Sequence, residues 1–241
     1  MSERQPDENQ AVDFRVVSWN MNHWRQPTRP EDTRAKGWDY LRTELRPDVA
    51  LLQETVPPAS LDTRSVIYRE IADYRPWGSA IVTRPGLSLE TIWAVPTRFS
   101  RRRFQLTNTF PGSVAIGEVA IEGIAPITVI SVYNVIDVYA QTTLLRIVAD
   151  LIPLFDSAKG SRVILAGDLN VALTTQDPYY LQRGGAILGA LKGLGLVEVT
   201  EIAKRRPAPR PDCPCGAKGA CSHLRTWQVH ELDHAYVTES L

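Results

Sequence analysis

The chain has 241 residues, 44% hydrophobic and 22% charged, enough for one large domain with an ordinary core. Its 27 Lys and Arg balance 27 Asp and Glu, so no global field draws it to nucleic acid or a membrane, and any such contact has to be local. No run approaches the ~18–20 apolar residues of a membrane span and the first 13 residues hold no apolar signal core, so the expectation is a cytoplasmic protein without membrane contact.

Residues 1–12 are polar and read as a disordered lead-in, with one folded domain over 13–241. A strand is predicted over 14–19, ending at Asn20-Met21-Asn22. A helix follows over 33–45, capped by Thr33, with Trp38, Leu41 and Leu45 on one face and Pro47 beyond its end. The run over 48–52 is a second buried strand that stops at Gln53-Glu54, and 59–72 carries a weaker helical pattern. The middle of the chain is strand-rich: 78–83 before a Pro85-Gly86 turn, then 89–95, 113–121 and 127–133, with a basic loop containing aromatics at 98–104. An amphipathic helix spans 138–155, a buried strand runs from Val163 into Gly167-Asp168-Leu169-Asn170, and a helix with Pro178 in its first turn spans 178–194. Residues 204–223, proline-rich over 205–211 and then carrying Cys and His, read as a loop, and short strands are expected at 224–229 and 232–237. Strands joined both by hairpins and by helical crossovers predict a mixed α/β sandwich rather than a parallel doubly wound sheet.

Several apolar strands end in the same kind of group: Asn20 and Asn22, Gln53 and Glu54, Tyr133 and Asn134, Asp168 and Asn170, while one more strand contains Asp233-His234. Singly, such residues serve as turn formers or helix caps. Together they form the oxygen-rich set that Mg²⁺ favours, since that ion keeps most of its waters and takes one or two carboxylates plus a substrate phosphate.

In these segments the sequence resembles the endonuclease/exonuclease/phosphatase superfamily, the DNase I-like fold. The matching stretches are Ser18-Trp19-Asn20-Met21-Asn22, Arg46-Pro47-Asp48 through Leu52-Gln53-Glu54, Trp77-Gly78-Ser79-Ala80-Ile81, Val132-Tyr133-Asn134, Gly167-Asp168-Leu169-Asn170 and Leu232-Asp233-His234-Ala235-Tyr236-Val237, in the family's order and over nearly the whole chain. The resemblance implies a four-layer α/β/β/α sandwich of two mixed sheets. It also implies a Mg²⁺- or Mn²⁺-dependent phosphodiesterase or nuclease, with DNA or RNA as candidate substrates. Carried over by position, Glu54 is the main metal carboxylate with Asn20 and Asn22 beside it, Asp168 orients or deprotonates the attacking water, Asn170 holds a phosphate oxygen, and Tyr133 faces the scissile phosphate. The alternative is a catalytically weak or inactive relative that binds phosphate-containing ligands without turning them over.

Asp233-His234 carries two readings. As the family's terminal Ser-Asp-His pair it supplies the catalytic imidazole. As the preceding strand, where an Asp is followed by an aromatic position, it sets Asp233 and His234 on opposite faces. The second reading matches 232–241 better and implies that the family's last strand lies outside these 241 residues. His23, next to Asn22, reads as a solvated loop residue and His230 as a surface strand residue. Cys213, Cys215, Cys221 and His223 offer a donor set suited to structural Zn²⁺, although the Cys-x-Cys spacing is tighter than usual and incidental thiols remain the alternative. Arg101, Arg102 and Arg103, flanked by Phe99 and Phe104, are either a phosphodiester contact or a solvated charged hairpin.

Overall fold

A computed structural model describes residues 13–23, 31–71, 76–97, 100–106, 110–135, 140–173, 175–199 and 232–241. Twelve strands are described: β1 (Val16–Asn20), β2 (Val49–Thr55), β3 (Val66–Glu70), β4 (Gly78–Thr83), β5 (Ser88–Thr91), β6 (Ala94–Thr97), β7 (Ser100–Gln105), β8 (Val114–Ile121), β9 (Ile124–Tyr133), β10 (Val163–Asp168), β11 (Leu196–Glu198) and β12 (Asp233–Thr238). The longer helices are α1 (Glu31–Tyr40), which runs on into a π turn over Leu41–Leu45, α2 (Ala140–Phe155) and α3 (Pro178–Gly193). Among the described residues, no helix is long and apolar enough to cross a membrane.

One sheet has the order β1-β2-β4-β3 and the other β11-β12-β10-β9-β8-β5, with β6 and β7 as a separate hairpin. Each large sheet is mixed, because β1 pairs parallel with β2 and β9 with β10 while the remaining pairs are antiparallel. Ile67, Ile81, Val119 and Val129 fill the space between the sheets. Trp38 and Leu41 of the first helical segment cover the outer face of the smaller sheet over Ala50, Leu52 and Ala80. Leu144, Leu151, Ile187 and Leu191 of α2 and α3 cover the larger sheet over Ile130, Val132 and Leu165. These are the four layers and two mixed sheets expected from the sequence. Burial on both faces is why β2 and β10 read as continuous apolar runs.

Some local expectations differ. Of the helix expected over 59–72, the described residues 59–71 form none: after a single 3₁₀ turn at Thr63–Ser65 they become β3, whose Val66-Ile67-Tyr68 suits an extended edge paired with β4. The single strand expected over 89–95 is split between β5 and β6, and the expected basic loop at 98–104 falls largely on β7, because the chain leaves the larger sheet after Thr91 and folds back on itself as a hairpin. Leu196–Glu198 adds a strand the sequence did not announce. Asp48 lies at the far end from the polar strand ends. It accepts from the Arg15 backbone N–H at 2.7 Å and from the Arg84 guanidinium, joining the start of β2 to the end of β4.

Candidate active site

The polar strand ends meet where the two sheets converge. Asn20 leaves β1 and Glu54 lies near the end of β2, both in the smaller sheet; Asp168 ends β10 in the larger one. Asn20 Nδ2 donates to Glu54 Oε1 at 3.2 Å and to Asp168 Oδ2 at 2.8 Å, so one amide spans both sheets and holds two carboxylates together. The other end of the same amide is fixed as well, since the Asn22 N–H donates to Asn20 Oδ1 at 2.8 Å.

Backbone geometry aims these groups. Pairing of β2 with β4 slips between Leu52 and Thr55, a bulge that inserts one extra residue and redirects Glu54. Glu54 adopts φ 46°, and Asn22 and Asn170 adopt φ 52° and 49°. Left-handed backbone is tolerated by Asn but unusual for Glu, and such conformations gather where function demands them. Directly behind Glu54, Gln53 is fully buried and donates to Ser131 Oγ at 2.9 Å and to Leu51 O, while Ser131 Oγ donates to Leu52 O. Gln53 is therefore a tie between sheets rather than a group of the site.

The turn after β10 is fixed from several sides. The Asn170 N–H donates to Asp168 Oδ1 at 3.0 Å, and Asn170 Nδ2 donates to Asn134 O at 2.7 Å. Asn134 is buried; its N–H donates to Asp168 O and its Nδ2 to Leu169 O. Asn134, which directly follows β9, stood among the polar strand-end groups in the sequence without a role of its own; in the structure it ties the end of β9 to the turn after β10. Tyr133 pairs with Asp168 in the parallel register of β9 and β10, but its ring is 2% exposed and packs edge-on against Trp77 at 5.0 Å, beside Ile71 and Val135.

Asp233 and His234 go to different places. Asp233 sits opposite Asp168 in the antiparallel register of β10 and β12, close enough for its charge to act on Asp168. His234 faces the other way. Its Nδ1 lies 3.2 Å from Glu198 Oε1 and its Nε2 lies 3.1 Å from Val171 O, inside the layer under α3. The expectation of His234 as a catalytic group facing Asp168 is corrected by strand alternation, which the alternative reading had used. His23 is buried rather than solvated. Arg102 and Arg103 are exposed on β7, with Arg103 Nη2 donating to Ala94 O at 2.7 Å; Arg101 lies on the same strand. Cys213, Cys215, Cys221, His223 and His230 lie outside the described residues, as do 1–12 and the strand expected at 224–229.

Burial pushes the Asp168 carboxyl up to about 7, and the negative charge of Asp233 and, more weakly, Glu54 adds to the effect, while the bonds from Asn20 and the Asn170 N–H act in the opposite sense. No Lys or Arg pairs with Asp168 among the described residues. A buried carboxyl on which the charges of two further acids act creates a demand for positive charge. The donors are hard oxygens. No three His, Cys, Asp or Glu side chains close on one point among the described residues. Carboxylate and amide oxygens of this kind fit a hard ion held by one or two carboxylates and water.

A two-sheet sandwich with helices on both outer faces, and with acid and amide groups gathered where strands exit, defines the DNase I-like class of fold. The chain belongs to the Endonuclease/Exonuclease/phosphatase family, whose match spans residues 17–241. Among solved structures it is similar to the endonuclease domain of TRAS1, a telomere-specific non-LTR retrotransposon, with TM-score 0.58 and 16% identity over 94% of this chain and 85% of that one. It is similar to D. rerio TDP2 complexed with a single-strand DNA product, with TM-score 0.57 and 18% identity over 95% and 85% of the two chains. A third likeness is the 3′ phosphatase NExo from Neisseria bound to a product DNA hairpin, with TM-score 0.54 and 17% identity over 95% and 88%. No curated protein matches the chain in sequence.

Proposed function

We propose that the chain is a divalent-metal-dependent phosphoric-ester hydrolase that cleaves nucleic-acid phosphodiesters. The observation that carries this reading is the Asn20 amide joining Glu54 and Asp168 across the two sheets. Glu54 would hold Mg²⁺ or Mn²⁺, with Asn20 and Asn22 beside it, and the ion would supply charge neutralisation at the phosphoryl group. Asp168, with one oxygen fixed by Asn20 and the other by the Asn170 N–H, orients the attacking water and takes its proton. Asn170, locked to Asn134, presents its side chain to a phosphate oxygen. Support for a nucleic-acid substrate comes from family membership and from the DNA products bound in the D. rerio and Neisseria structures.

One observation favours a second reading, a relative that binds phosphodiesters without cleaving them. The one Asp-His pair in the sequence turns its imidazole away from Asp168, toward Glu198 and Val171. Incubation with plasmid, single-stranded DNA, RNA and bis(p-nitrophenyl) phosphate, with Mg²⁺ or Mn²⁺ and then with EDTA, separates the two. Cleavage of nucleic acid that EDTA stops, and that Glu54→Ala and Asp168→Ala each remove, is the expected result. Binding without turnover favours the second reading, and cleavage that persists in both variants overturns the site assignment.

A further inference from the structure

At the β3 and β5 edges of the two sheets, at the same end of the strands as the acidic cluster, an arginine and a tryptophan stack on one another. The Arg69 guanidinium carbon lies 3.8 Å from the centre of the Trp93 ring. Arg69 belongs to β3, the edge of the smaller sheet, and Trp93 follows β5, the edge of the larger one. Strand alternation puts Arg69 on the same face as Ile67, which lies in the core between the sheets, so the Arg69 stem runs between them and its head emerges beneath Trp93.

The guanidinium meets no carboxylate among the described residues, and its neighbour Glu70 points to the opposite face of the strand. Burial lowers its pKa from the usual arginine value, yet an arginine stays charged near neutral pH. Trp93 is 54% exposed despite the stack, and Phe104, on the hairpin that follows, is 46% exposed. A half-buried cation stacked on a half-exposed aromatic ring, with no acidic partner among the described residues, has the chemistry of a backbone phosphate contact next to a base platform.

The register places this pair beside the acidic cluster. Glu70 and Thr55 both face Gly78 across the smaller sheet, so Arg69 and Glu54 are level, with β4 between their strands. Two strand spacings separate their backbones by about 10 Å, a span that a stacked strand covers in about three nucleotides. Trp93 is at the same end, since Ile92 N–H donates to Ile116 O at 3.0 Å on the site-ward half of β8.

We infer that Arg69 and Trp93 form a single-stranded nucleic-acid subsite a few nucleotides from the Glu54–Asp168 cluster, with a base on the Trp93 ring and a phosphate on the Arg69 guanidinium. The inference rests on the cluster taking a phosphodiester. The subsite would hold the strand outside the cleaved bond, and its stacking surface tolerates any base.

The test is binding of fluorescein-labelled oligo(dT) to the full chain in EDTA, read by anisotropy over a salt series, so that turnover plays no part. Trp93→Ala is expected to weaken binding about fivefold or more, the lower end of base–aromatic stacking, and Trp93→Phe to retain most of the affinity. Arg69→Met keeps the stem and is expected to lower the slope of log K against log salt by about 0.7, one phosphate contact. No binding by the wild-type chain, binding by Trp93→Ala within about twofold of wild type, a Trp93→Phe variant as weak as Trp93→Ala, or an unchanged salt slope in folded Arg69→Met each overturns the subsite. If Arg69→Met does not fold, the Trp93 pair decides. Wild-type turnover of bis(p-nitrophenyl) phosphate is measured separately, so failure of the hydrolase reading is distinct from failure of the subsite.

Discussion

Replacing Asp168 by Asn is expected to slow hydrolysis about 10²–10⁴-fold and at the same time to make the metal-free chain progressively more stable than wild type as pH rises. The two effects have one origin. Asp168 is buried against Asp233 and Glu54, which lifts its pKa from 3.8 to about 7. Between those values an unfolded chain has lost the proton that the folded chain keeps. The folded state therefore binds more protons, and stability falls as pH rises from about 4 to about 7, levelling off above. Full ionisation of the folded group costs on the order of 4 kcal/mol, from about 1.36 kcal/mol per pK unit. The neutral amide of Asp168→Asn would avoid that cost. Part of that gain would be offset, because its NH₂ has to face one of the two donors, Asn20 Nδ2 or the Asn170 N–H, that Asp168 now accepts from. The sign of the trend is the discriminating part: in EDTA, urea unfolding at about pH 5 and about pH 8 should show the variant's advantage growing by on the order of 2 kcal/mol. A constant or shrinking gap would mean that Asp168 is not held protonated by its surroundings.

Gly167→Ala carries the second large effect, and it acts on the frame. Gly167 faces Val132 in the β9–β10 ladder and has φ 157°. A Cβ there would stand 1.8 Å from Val132 O and 2.8 Å from Val132 C. Both are backbone atoms inside a parallel pair, so relief requires parting the two strands that carry Tyr133, Asn134 and Asp168. We expect a loss of more than about 4 kcal/mol, or no folded protein, measured by urea unfolding. A loss below about 1 kcal/mol would show that the ladder can open there at little cost. The glycine of Gly-Asp-Leu-Asn is thus explained by close backbone approach rather than by any contact with substrate.

How much of this was legible in the sequence depended on the kind of signal. Buried central strands were readable because burial on both faces demands unbroken apolar runs, as in Val49–Thr55 and Val163–Asp168. The polar residues at their exits stood out for the same reason. Edge elements were not readable. Val66–Glu70 needs only half of its surface covered, and its spacing fitted a helix as well as a strand. The strand Ser100–Gln105 hid behind a run of arginines, because a hairpin outside the main sheets draws its order from pairing with Ala94–Thr97 rather than from alternation. Period-two alternation did separate Asp233 from His234, the one fine detail of the site that local sequence could decide. Which partner each acid finds was beyond it: Asn20 and Asp168 are 148 residues apart, and their meeting depends on how two sheets pack. The same holds for Arg69 and Trp93, brought together from the edges of different sheets.

The most direct measurement is turnover of bis(p-nitrophenyl) phosphate by the wild-type chain and by Glu54→Gln, each with Mg²⁺ and with excess EDTA. A small diester removes any dependence on nucleic-acid binding, and Gln keeps the shape of Glu54 while removing its charge. The account predicts wild-type turnover that EDTA abolishes and a loss of about 100-fold or more in Glu54→Gln at any Mg²⁺ concentration near that which saturates the wild type. Equal turnover by the two proteins, or turnover indifferent to EDTA, would contradict it.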